Sequence, residues 1–427
     1  MKIEELYALF IEYPSVKTDT RSLKPGDIFF ALNGPTFNGN AFAKKAIDDG
    51  AVLAVIDDSQ YHIPGKTILV TDVLKTLQEL AQYHRKTFTI PFIAITGSNG
   101  KTTTKELVHA VLQSRYETYT TKGNLNNQIG IPLTLLGIKK DAEIAVIEMG
   151  ANHLNEIESY CRYARPTHGI ITNVGKAHLE GFGGIEGVKK GKGELFDFLR
   201  SNQGTAFVMW DYDYLREMST GIPFIMRYGI NEGDITGTIQ QSDPYLELSV
   251  TRGADIDTIQ TQLVGAYNLP NVLAAITIGK FFEVSDRSIK DSIEAYAPSN
   301  SRSQMIEKNS NKIILDAYNA NPSSMRSAVE NFAQLNSSSK VLILGAMAEL
   351  GEESVEEHRS LIQLIAMHTW KKVVLVGGDF LKIPHHFLSF KDATEAGNWY
   401  HQQHFRNSLV LIKGSRSMEM EKVLVDV

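Results

Sequence analysis

The segment of the chain best suited to chemistry is a glycine-rich turn, TGSNGKTTT, at residues 96–104. An apolar run at residues 91–96 predicts a buried strand before it, and a helix is predicted at residues 102–114 after it. Glycines let a backbone fold tightly around phosphates, and the N–H groups that begin a helix face the anion. Lys101 can then reach the β- and γ-phosphates, and the Thr102 hydroxyl can bind Mg²⁺. The turn predicts a nucleotide site made of Gly97, Ser98, Asn99, Gly100, Lys101, Thr102 and Thr103.

The turn is a shortened form of the phosphate-binding loop. The strict G-x-x-x-x-G-K-[ST] pattern requires glycine at position 95, where this chain has Ile95, so the pattern here is G-x-x-G-K-T. The alternative is a glycine turn that caps a helix beside a solvated lysine. The strand before the turn and the helix after it favour nucleotide binding, although the turn alone does not identify a reaction.

Three further side chains could contribute to a metal site. Glu148 ends the apolar run at residues 144–147, and a carboxylate at the tip of a sheet strand points toward the ligand crevice of α/β proteins. It is either a Mg²⁺ ligand or a surface carboxylate. His178 follows the predicted strand at residues 169–172, but a lone histidine is more often structural, and Mg²⁺ prefers oxygen. Lys192, judged by chemistry alone, is a solvated helix lysine.

Apolar patterning divides the chain into three units, at residues 1–88, 89–304 and 305–427. In the N-terminal unit, strands are predicted at residues 28–32, 51–56 and 67–70, and helices at 41–49 and 73–85. In the central unit, residues 204–264 are rich in β pattern and irregular, as an insertion or a sheet edge would be. In the C-terminal unit, apolar runs alternate with helical stretches, at residues 312–315, 340–344, 372–376 and 408–412. This alternation predicts an α/β protein with parallel, helix-covered sheets.

Composition limits the class of protein. A length of 427 residues suits three domains at about 150 residues each, and 43% apolar with 22% charged residues excludes wholesale disorder. The net charge of −6 argues against nucleic-acid binding, and the single cysteine, Cys161, excludes a disulfide framework. The chain has no apolar run of about 18 residues and no secretory signal pattern. We therefore expect a cytoplasmic protein with no membrane insertion.

Taken together, the motifs resemble those of the Mur ligase family, over nearly the whole chain. The matching segments are TDTRSLKPGDIFFAL at 18–32, TKGNLNNQIGIPLT at 121–134, EMGAN at 148–152, AHLEGFG at 177–183, DAYNANP at 316–322, GAMAELG at 345–351 and KGSRS at 413–417. The resemblance implies three domains: a small α/β N-terminal domain, a central P-loop-type mononucleotide-binding sheet, and a C-terminal Rossmann-like domain.

The resemblance also implies an activity. The segments at 316–322 and 345–351 favour the branch that adds D-alanyl-D-alanine to UDP-N-acetylmuramoyl-tripeptide, with ATP and Mg²⁺, through an acyl phosphate, in peptidoglycan precursor synthesis. The alternatives within the family are a ligase that adds the third amino acid and a folate-type polyglutamyl ligase. A switch GTPase would require an N-K-x-D motif, which this sequence lacks. The implied partners are the small-molecule substrates alone, and a monomer is expected.

The resemblance assigns roles to individual residues. The catalytic residues would be Lys101, Glu148, His178 and Lys192. The metal ligands would be Thr102, Glu148, His178 and a carbamylated Lys192. Besides the loop, the ATP contacts would be Asn268, Asn271, Arg302, Asp316 and Asn319. The substrate contacts would be Thr20, Arg21, Asn33, Gly34, Asn126, Asn127, Tyr318, Asn321 and Lys413.

The three units would divide the work. The N-terminal unit would hold the UDP-sugar, the central unit ATP and metals, and the C-terminal unit the dipeptide while closing over the site to exclude water. The chain departs from the family pattern at two places. Tyr267 stands where the family usually has histidine, and residues 38–40 replace a D-G-H-like turn.

Overall fold

A computed structural model describes residues 2–299 and 301–425 as an α/β protein with three separate β-sheets. The described helices are α1 (Ile3–Glu12), α2 (Ala43–Asp48), α3 (Val73–Arg85), α4 (Lys101–Leu112), α5 (Gly130–Leu136), α6 (Glu156–Ala164), α7 (Leu179–Phe182), α8 (Ile185–Ser201), α9 (Asp213–Ser219), α10 (Leu269–Phe281), α11 (Asp286–Ala295), α12 (Pro322–Gln334), α13 (Ser354–Ala366) and α14 (Ala393–Gln402).

The described strands are β1 (Val16–Lys17), β2 (Ile28–Phe30), β3 (Leu53–Ile56), β4 (Thr67–Leu69), β5 (Phe92–Thr96), β6 (Thr118–Thr120), β7 (Ile144–Glu148), β8 (His168–Ile171), β9 (Thr205–Met209), β10 (Phe224–Gly229), β11 (Ile235–Ser242), β12 (Tyr245–Arg252), β13 (Ile259–Val264), β14 (Gln304–Lys308), β15 (Asn311–Asp316), β16 (Lys340–Gly345), β17 (Lys372–Val376), β18 (Leu388–Phe390) and β19 (Leu409–Lys413).

The N-terminal sheet is small and wholly parallel, in the order β1-β2-β3-β4. Helix α3 is capped by Asp72, whose carboxylate accepts from the Lys75 N–H at 2.8 Å. Its apolar face is buried through Val73, Leu77 and Leu80. The helix packs against α1 and also against α5 and α6 of the next unit. It therefore joins the N-terminal sheet to the rest of the molecule.

The central sheet has nine strands in the order β13-β12-β11-β10-β9-β8-β5-β7-β6. The chain leaves β5 toward β7 on one side and returns to β8 on the other, and all three strands are parallel. Such a reversal opens a crevice at the carboxyl ends of the strands, where α/β proteins bind ligands. Residues 204–264 complete one edge of this sheet, with antiparallel pairing from β11 to β13.

The C-terminal sheet has the order β14-β15-β19-β16-β17-β18 and is parallel except for the β14–β15 pair. All four apolar runs predicted in this part of the chain are strands. The predicted α/β fold class is therefore confirmed. The boundaries at 88 and 304 stay a prediction, and β14 begins at Gln304.

Two differences from the predicted elements have local causes. The helix predicted at 41–49 is a 3-10 turn at Gly39–Phe42 followed by α2, because the Asn38 side chain accepts from the Asn40 N–H at 2.9 Å and caps the turn. Helix α1 was not predicted. No helix in the described ranges is long and apolar enough to cross a membrane.

Candidate active site

A cleft of about 780 Å³ lies at the carboxyl ends of β5, β7 and β8 and extends to loops of the C-terminal sheet. Most of the predicted site residues line it: Ser98, Asn99, Gly100, Lys101, Thr102, Thr103, Asn126, Asn127, Glu148, His178, Asn268, Asn271, Arg302, Asp316, Tyr318, Asn319, Asn321 and Lys413. Residues more than 300 positions apart in sequence thus meet in one cleft.

The glycine loop has a backbone that only glycine accommodates. Gly97 has φ 140°, and a Cβ there would lie 2.0 Å from Thr172 Oγ1. Gly100 has φ 78°, and a Cβ there would lie 2.6 Å from Asn271 Oδ1. Helix α4 begins at the next residue, so its first N–H groups face the cleft from inside the loop. This geometry suits a phosphate group.

Residues that follow β8 hold the glycine loop in place through hydrogen bonds. The Asn99 N–H donates to Asn173 Oδ1 at 3.0 Å, and Thr172 Oγ1 donates to the Asn99 carbonyl at 2.6 Å. Ser98 Oγ donates to the Gly175 carbonyl at 3.0 Å. The sequence-based reasoning missed Thr172 and Asn173. Their position at the end of a predicted strand, the same signal that pointed to Glu148, could have identified them.

Lys101 lies folded against its own loop. Its Nζ donates to the Gly97 carbonyl at 2.6 Å and to the Ser98 carbonyl at 3.2 Å. Burial lowers the pKa of Lys101 to about 8, the Glu148 carboxylate opposes this shift, and Arg302 adds to it. A polyphosphate in the loop would place negative charge next to this amine and favour its protonated form.

Glu148 has a free, buried acceptor atom. The side chain is 1% exposed, and its Oε1 accepts from Asn126 Nδ2 at 2.7 Å. Its Oε2 is buried and has no hydrogen-bond partner among the described residues. A buried carboxylate oxygen without a partner is costly, and such an oxygen is the kind of ligand that a hard divalent cation prefers. Glu148 therefore fits a Mg²⁺ ligand.

Lys192 lies beneath the cleft rather than in solvent. It is 1% exposed, its Nζ donates to the Ala151 carbonyl at 2.9 Å, and the Phe182 ring centroid is 4.9 Å away. Burial, followed by the charge of Lys101, holds the pKa of Lys192 well below its ordinary value. The expectation of a solvated helix lysine is wrong, because this turn of α8 faces the core. A neutral amine is the form that can take up CO₂ as a carbamate.

The described residues contain no group of three or more His, Cys, Asp or Glu side chains that could hold a metal ion by itself. A cation in the cleft would therefore need the Thr102 hydroxyl or phosphate oxygens besides Glu148. Thr102 is 5% exposed and lines the cleft next to Lys101. A bound nucleotide would therefore supply the remaining oxygen ligands of the cation.

His178 stands at the boundary between the central and C-terminal sheets. Its side chain is 18% exposed, and its Nδ1 contacts the carboxylate of Glu349, which follows β16. His178 lowers the pKa of Glu349, whereas burial raises it. Glu349 lies in the GAMAELG motif, but the sequence does not indicate a role for it.

The C-terminal sheet contributes a polar cluster to the cleft. Lys413 Nζ donates to Asp316 Oδ2 at 2.6 Å and to the Asn319 carbonyl at 3.2 Å. Asn321 Nδ2 donates to Asn99 Oδ1 in the glycine loop at 2.7 Å. These contacts place the DAYNANP segment directly over the loop.

At the start of α10, which forms one side of the cleft, amide side chains form hydrogen bonds with neighbouring side chains. Asn271 Nδ2 donates to Asn268 Oδ1 at 2.9 Å, and Thr104 Oγ1 donates to Asn271 Oδ1 at 3.1 Å. The Tyr267 hydroxyl and Ser303 Oγ are 3.1 Å apart. The Arg302 guanidinium lies over the Tyr318 ring, 3.6 Å from its centroid. A planar base or ring would find both amide and aromatic surfaces here.

Four predicted substrate residues do not line this cleft: Thr20, Arg21, Asn33 and Gly34. The Arg21 side chain is 89% exposed and pairs with Asp19 at 2.6 Å. Asn33 Oδ1 accepts from the Gly39 N–H at 2.9 Å and so closes its own turn. All four lie in the N-terminal unit, and their contact with a substrate stays a prediction.

Comparisons with known proteins cover almost the whole chain. Residues 12–87 match the Mur ligase family catalytic domain, residues 95–279 the Mur ligase middle domain, and residues 301–416 the Mur ligase glutamate ligase domain. The UDP-N-acetylmuramoyl-tripeptide--D-alanyl-D-alanine ligase of Bacillus subtilis is 31% identical over 96% of this chain and 92% of its own.

Two solved structures are also similar. A crystal structure of MurF from Acinetobacter baumannii has a TM-score of 0.87 and 31% identity, over 96% of this chain and 92% of that one. The MurF ligase of Thermotoga maritima, in complex with ADP, has a TM-score of 0.86 and 25% identity, over 96% of both chains. The similarity therefore includes all three sheets.

Proposed function

The chain belongs to the Mur ligase family, and we propose that it joins D-alanyl-D-alanine to UDP-N-acetylmuramoyl-tripeptide in an ATP-dependent reaction. The product is an amide, and the step belongs to peptidoglycan precursor synthesis. The main support for this function is that the glycine loop, the buried Glu148 and the DAYNANP segment line one cleft. The ADP complex of the Thermotoga relative supports nucleotide binding by this chain.

The reaction has to activate an unreactive acid. A carboxylate oxygen of the tripeptide attacks the γ-phosphorus of ATP, and ADP leaves, which yields an acyl phosphate. The amine of D-alanyl-D-alanine then attacks the acyl carbon, loses a proton, and displaces inorganic phosphate. Both steps concentrate negative charge at the glycine loop. Lys101 and the N–H groups at the start of α4 are placed to stabilise that charge.

Glu148, Thr102, His178 and a carbamylated Lys192 would hold the divalent cations. A bound cation would neutralise charge on the phosphate oxygens. Asn126 holds the Glu148 carboxylate in place through its 2.7 Å hydrogen bond. Burial lowers the pKa of Lys192, which favours the neutral amine that reacts with CO₂, and this supports the modification.

We assign roles to the remaining predicted residues from their positions in the structure. Asn268 and Asn271 would lie near the nucleotide base, Asp316 and Asn319 near the ribose, and Arg302 near phosphate. Tyr318, Asn321 and Lys413 would face the dipeptide, and Asn126 and Asn127 the tripeptide. Thr20, Arg21, Asn33 and Gly34 would hold the UDP-sugar. We also propose a monomeric enzyme that acts in the cytoplasm, where ATP is available, and closes its C-terminal unit over the site to exclude water.

The decisive test is phosphate release from ATP by the purified protein. Release is expected only when UDP-N-acetylmuramoyl-tripeptide and D-alanyl-D-alanine are both present, because the acyl phosphate forms on one and reacts with the other. D-alanine in place of the dipeptide is the control. Equal turnover with the single amino acid, or with UDP-N-acetylmuramoyl-dipeptide as acceptor, would contradict the assignment.

A further inference from the structure

The contact between His178 Nδ1 and the Glu349 carboxylate links two parts of the chain that are 171 residues apart. His178 precedes α7, close to the carboxyl end of β8, whereas Glu349 lies in the loop that follows β16. His178 lines the cleft and Glu349 does not. Glu349 therefore reaches the active site through the histidine.

Both partners have an unusual backbone. His178 has φ 53° and Glu349 has φ 62°, in the left-handed region that is unfavourable for a non-glycine residue. Such conformations persist where the surrounding structure imposes them, and they concentrate at functional sites. The loops that carry these two residues also lie close together, since a Cβ built on Gly351 would be only 3.3 Å from Glu180 Cβ. Two strained residues thus face each other across the boundary between two sheets.

The chemistry of the pair follows from the two ring nitrogens. The Glu349 carboxylate contacts Nδ1, although Nδ1 has no hydrogen-bond partner of good geometry among the described residues, and this contact leaves Nε2 as the nitrogen able to serve a ligand in the cleft. A carboxylate on one ring nitrogen selects the tautomer, holds the ring orientation and makes the other nitrogen a better ligand.

A salt bridge across the same boundary allows a comparison. Lys176 Nζ pairs with the Glu357 carboxylate, and the Lys176 N–H donates to Ser323 Oγ at 3.1 Å. Neither Lys176 nor Glu357 lines the main cleft. This pair joins the two units without touching a predicted site residue, so it separates the effect of docking from an effect on His178.

We propose that Glu349 is a positioning residue, which orients the His178 imidazole for the metal–nucleotide site only while the C-terminal unit is docked. The site is then complete only when both units contribute. This inference rests on the proposed function, because it assigns His178 to that reaction.

The test measures binding of Mn²⁺, as a probe for Mg²⁺, in the presence of ADP and without turnover, by electron paramagnetic resonance. Glu349→Ala should weaken Mn²⁺ binding by about 10- to 100-fold, the usual effect of losing such a partner. Glu349→Gln, which keeps a neutral acceptor, should fall between Glu349→Ala and the unchanged protein. The docking control Glu357→Ala should change binding by less than about twofold, as expected of a mainly structural ion pair.

Equal weakening by Glu349→Ala and Glu357→Ala would overturn the inference, because docking alone would then explain it. Unchanged Mn²⁺ binding in Glu349→Ala would overturn it too. Side-chain ¹⁵N spectra give a second measurement: His178 should hold its proton on Nδ1 in the unchanged protein and populate both tautomers in Glu349→Ala. Failure of the ligase assay by the unchanged protein would reject the proposed function instead, since Mn²⁺–ADP binding needs no dipeptide.

Discussion

Lys101 is the side chain whose charge matters most for the proposed chemistry. It lies in the bend of the glycine loop, and its Nζ bonds to loop carbonyls at 2.6 and 3.2 Å. A bound polyphosphate would offer oxygens with a full negative charge in place of these neutral carbonyls.

Removing this charge should abolish most of the activity. Lys101→Ala should lower kcat/KM for ATP by about 10²–10³, or about 3–4 kcal/mol, which is typical of a lost electrostatic donor in an active site. Phosphate release with all substrates present measures the effect. Lys139→Ala, at an exposed position, is the matched control and should retain full activity. A Lys101→Ala enzyme with near-normal kcat/KM would contradict the role of the loop.

At the scale of elements, β8 contributes to the site at one end and to stability at the other. Its carboxyl end leads to Thr172 and Asn173, which hold the glycine loop. Its first residue, His168, packs among the rings of Phe207, Phe281 and Phe282, at centroid distances of 6.1, 5.3 and 5.2 Å. Burial there lowers the pKa of His168 from 6.5 to about 4.

This shift predicts a loss of stability in mild acid. Because the folded-state pKa lies below the unfolded value, the unfolded chain binds the proton more readily. The contribution of His168 is present above pH 6.5 and is lost as the pH falls toward 4, up to a limit of about 3 kcal/mol. Urea unfolding at pH 7 and pH 4.5 measures it. His168→Gln should lose less stability over this interval than the unchanged protein, and equal losses would contradict the prediction.

At the scale of the whole molecule, Arg85 joins the N-terminal unit to the central sheet. The side chain is 6% exposed and donates from Nε to the Ala164 carbonyl at 2.8 Å and from Nη2 to the Arg165 carbonyl at 2.9 Å. Its guanidinium also lies 3.6 Å from the Phe92 ring centroid. One side chain thus connects the end of α3 to the end of α6 and to β5, the strand that leads into the glycine loop.

Loss of these contacts should destabilise the whole protein. Arg85→Ala should lower the free energy of unfolding by about 3 kcal/mol or more, because three carbonyls, those of Phe88, Ala164 and Arg165, lose a charged donor and the site is buried. Arg162→Ala is the control: this side chain is 69% exposed and pairs with Glu158 within one helix, so the change should stay within about 0.5 kcal/mol. Urea unfolding measures the stability of both variants. Equal losses would contradict the role of Arg85 in joining the N-terminal unit to the central sheet.

Sequence alone determined the α/β class, the glycine loop and the family, because each depends on local order. Alternating apolar runs predict buried strands wherever they occur, and a G-x-x-G-K-T turn between a strand and a helix has few other uses. The Mur ligase membership inferred from seven short motifs is confirmed by the full-length comparisons.

Only the tertiary structure decided which side chains meet and which are buried. The sequence predicts Lys192 to be a surface lysine, but the packing of α8 buries it and lowers its pKa. The partnership of Glu349 with His178 and that of Asn321 with Asn99 join residues 171 and 222 positions apart. No local pattern encodes such contacts, because they arise from how the sheets dock on one another, and docking is set by the shape and burial of surfaces from the whole chain.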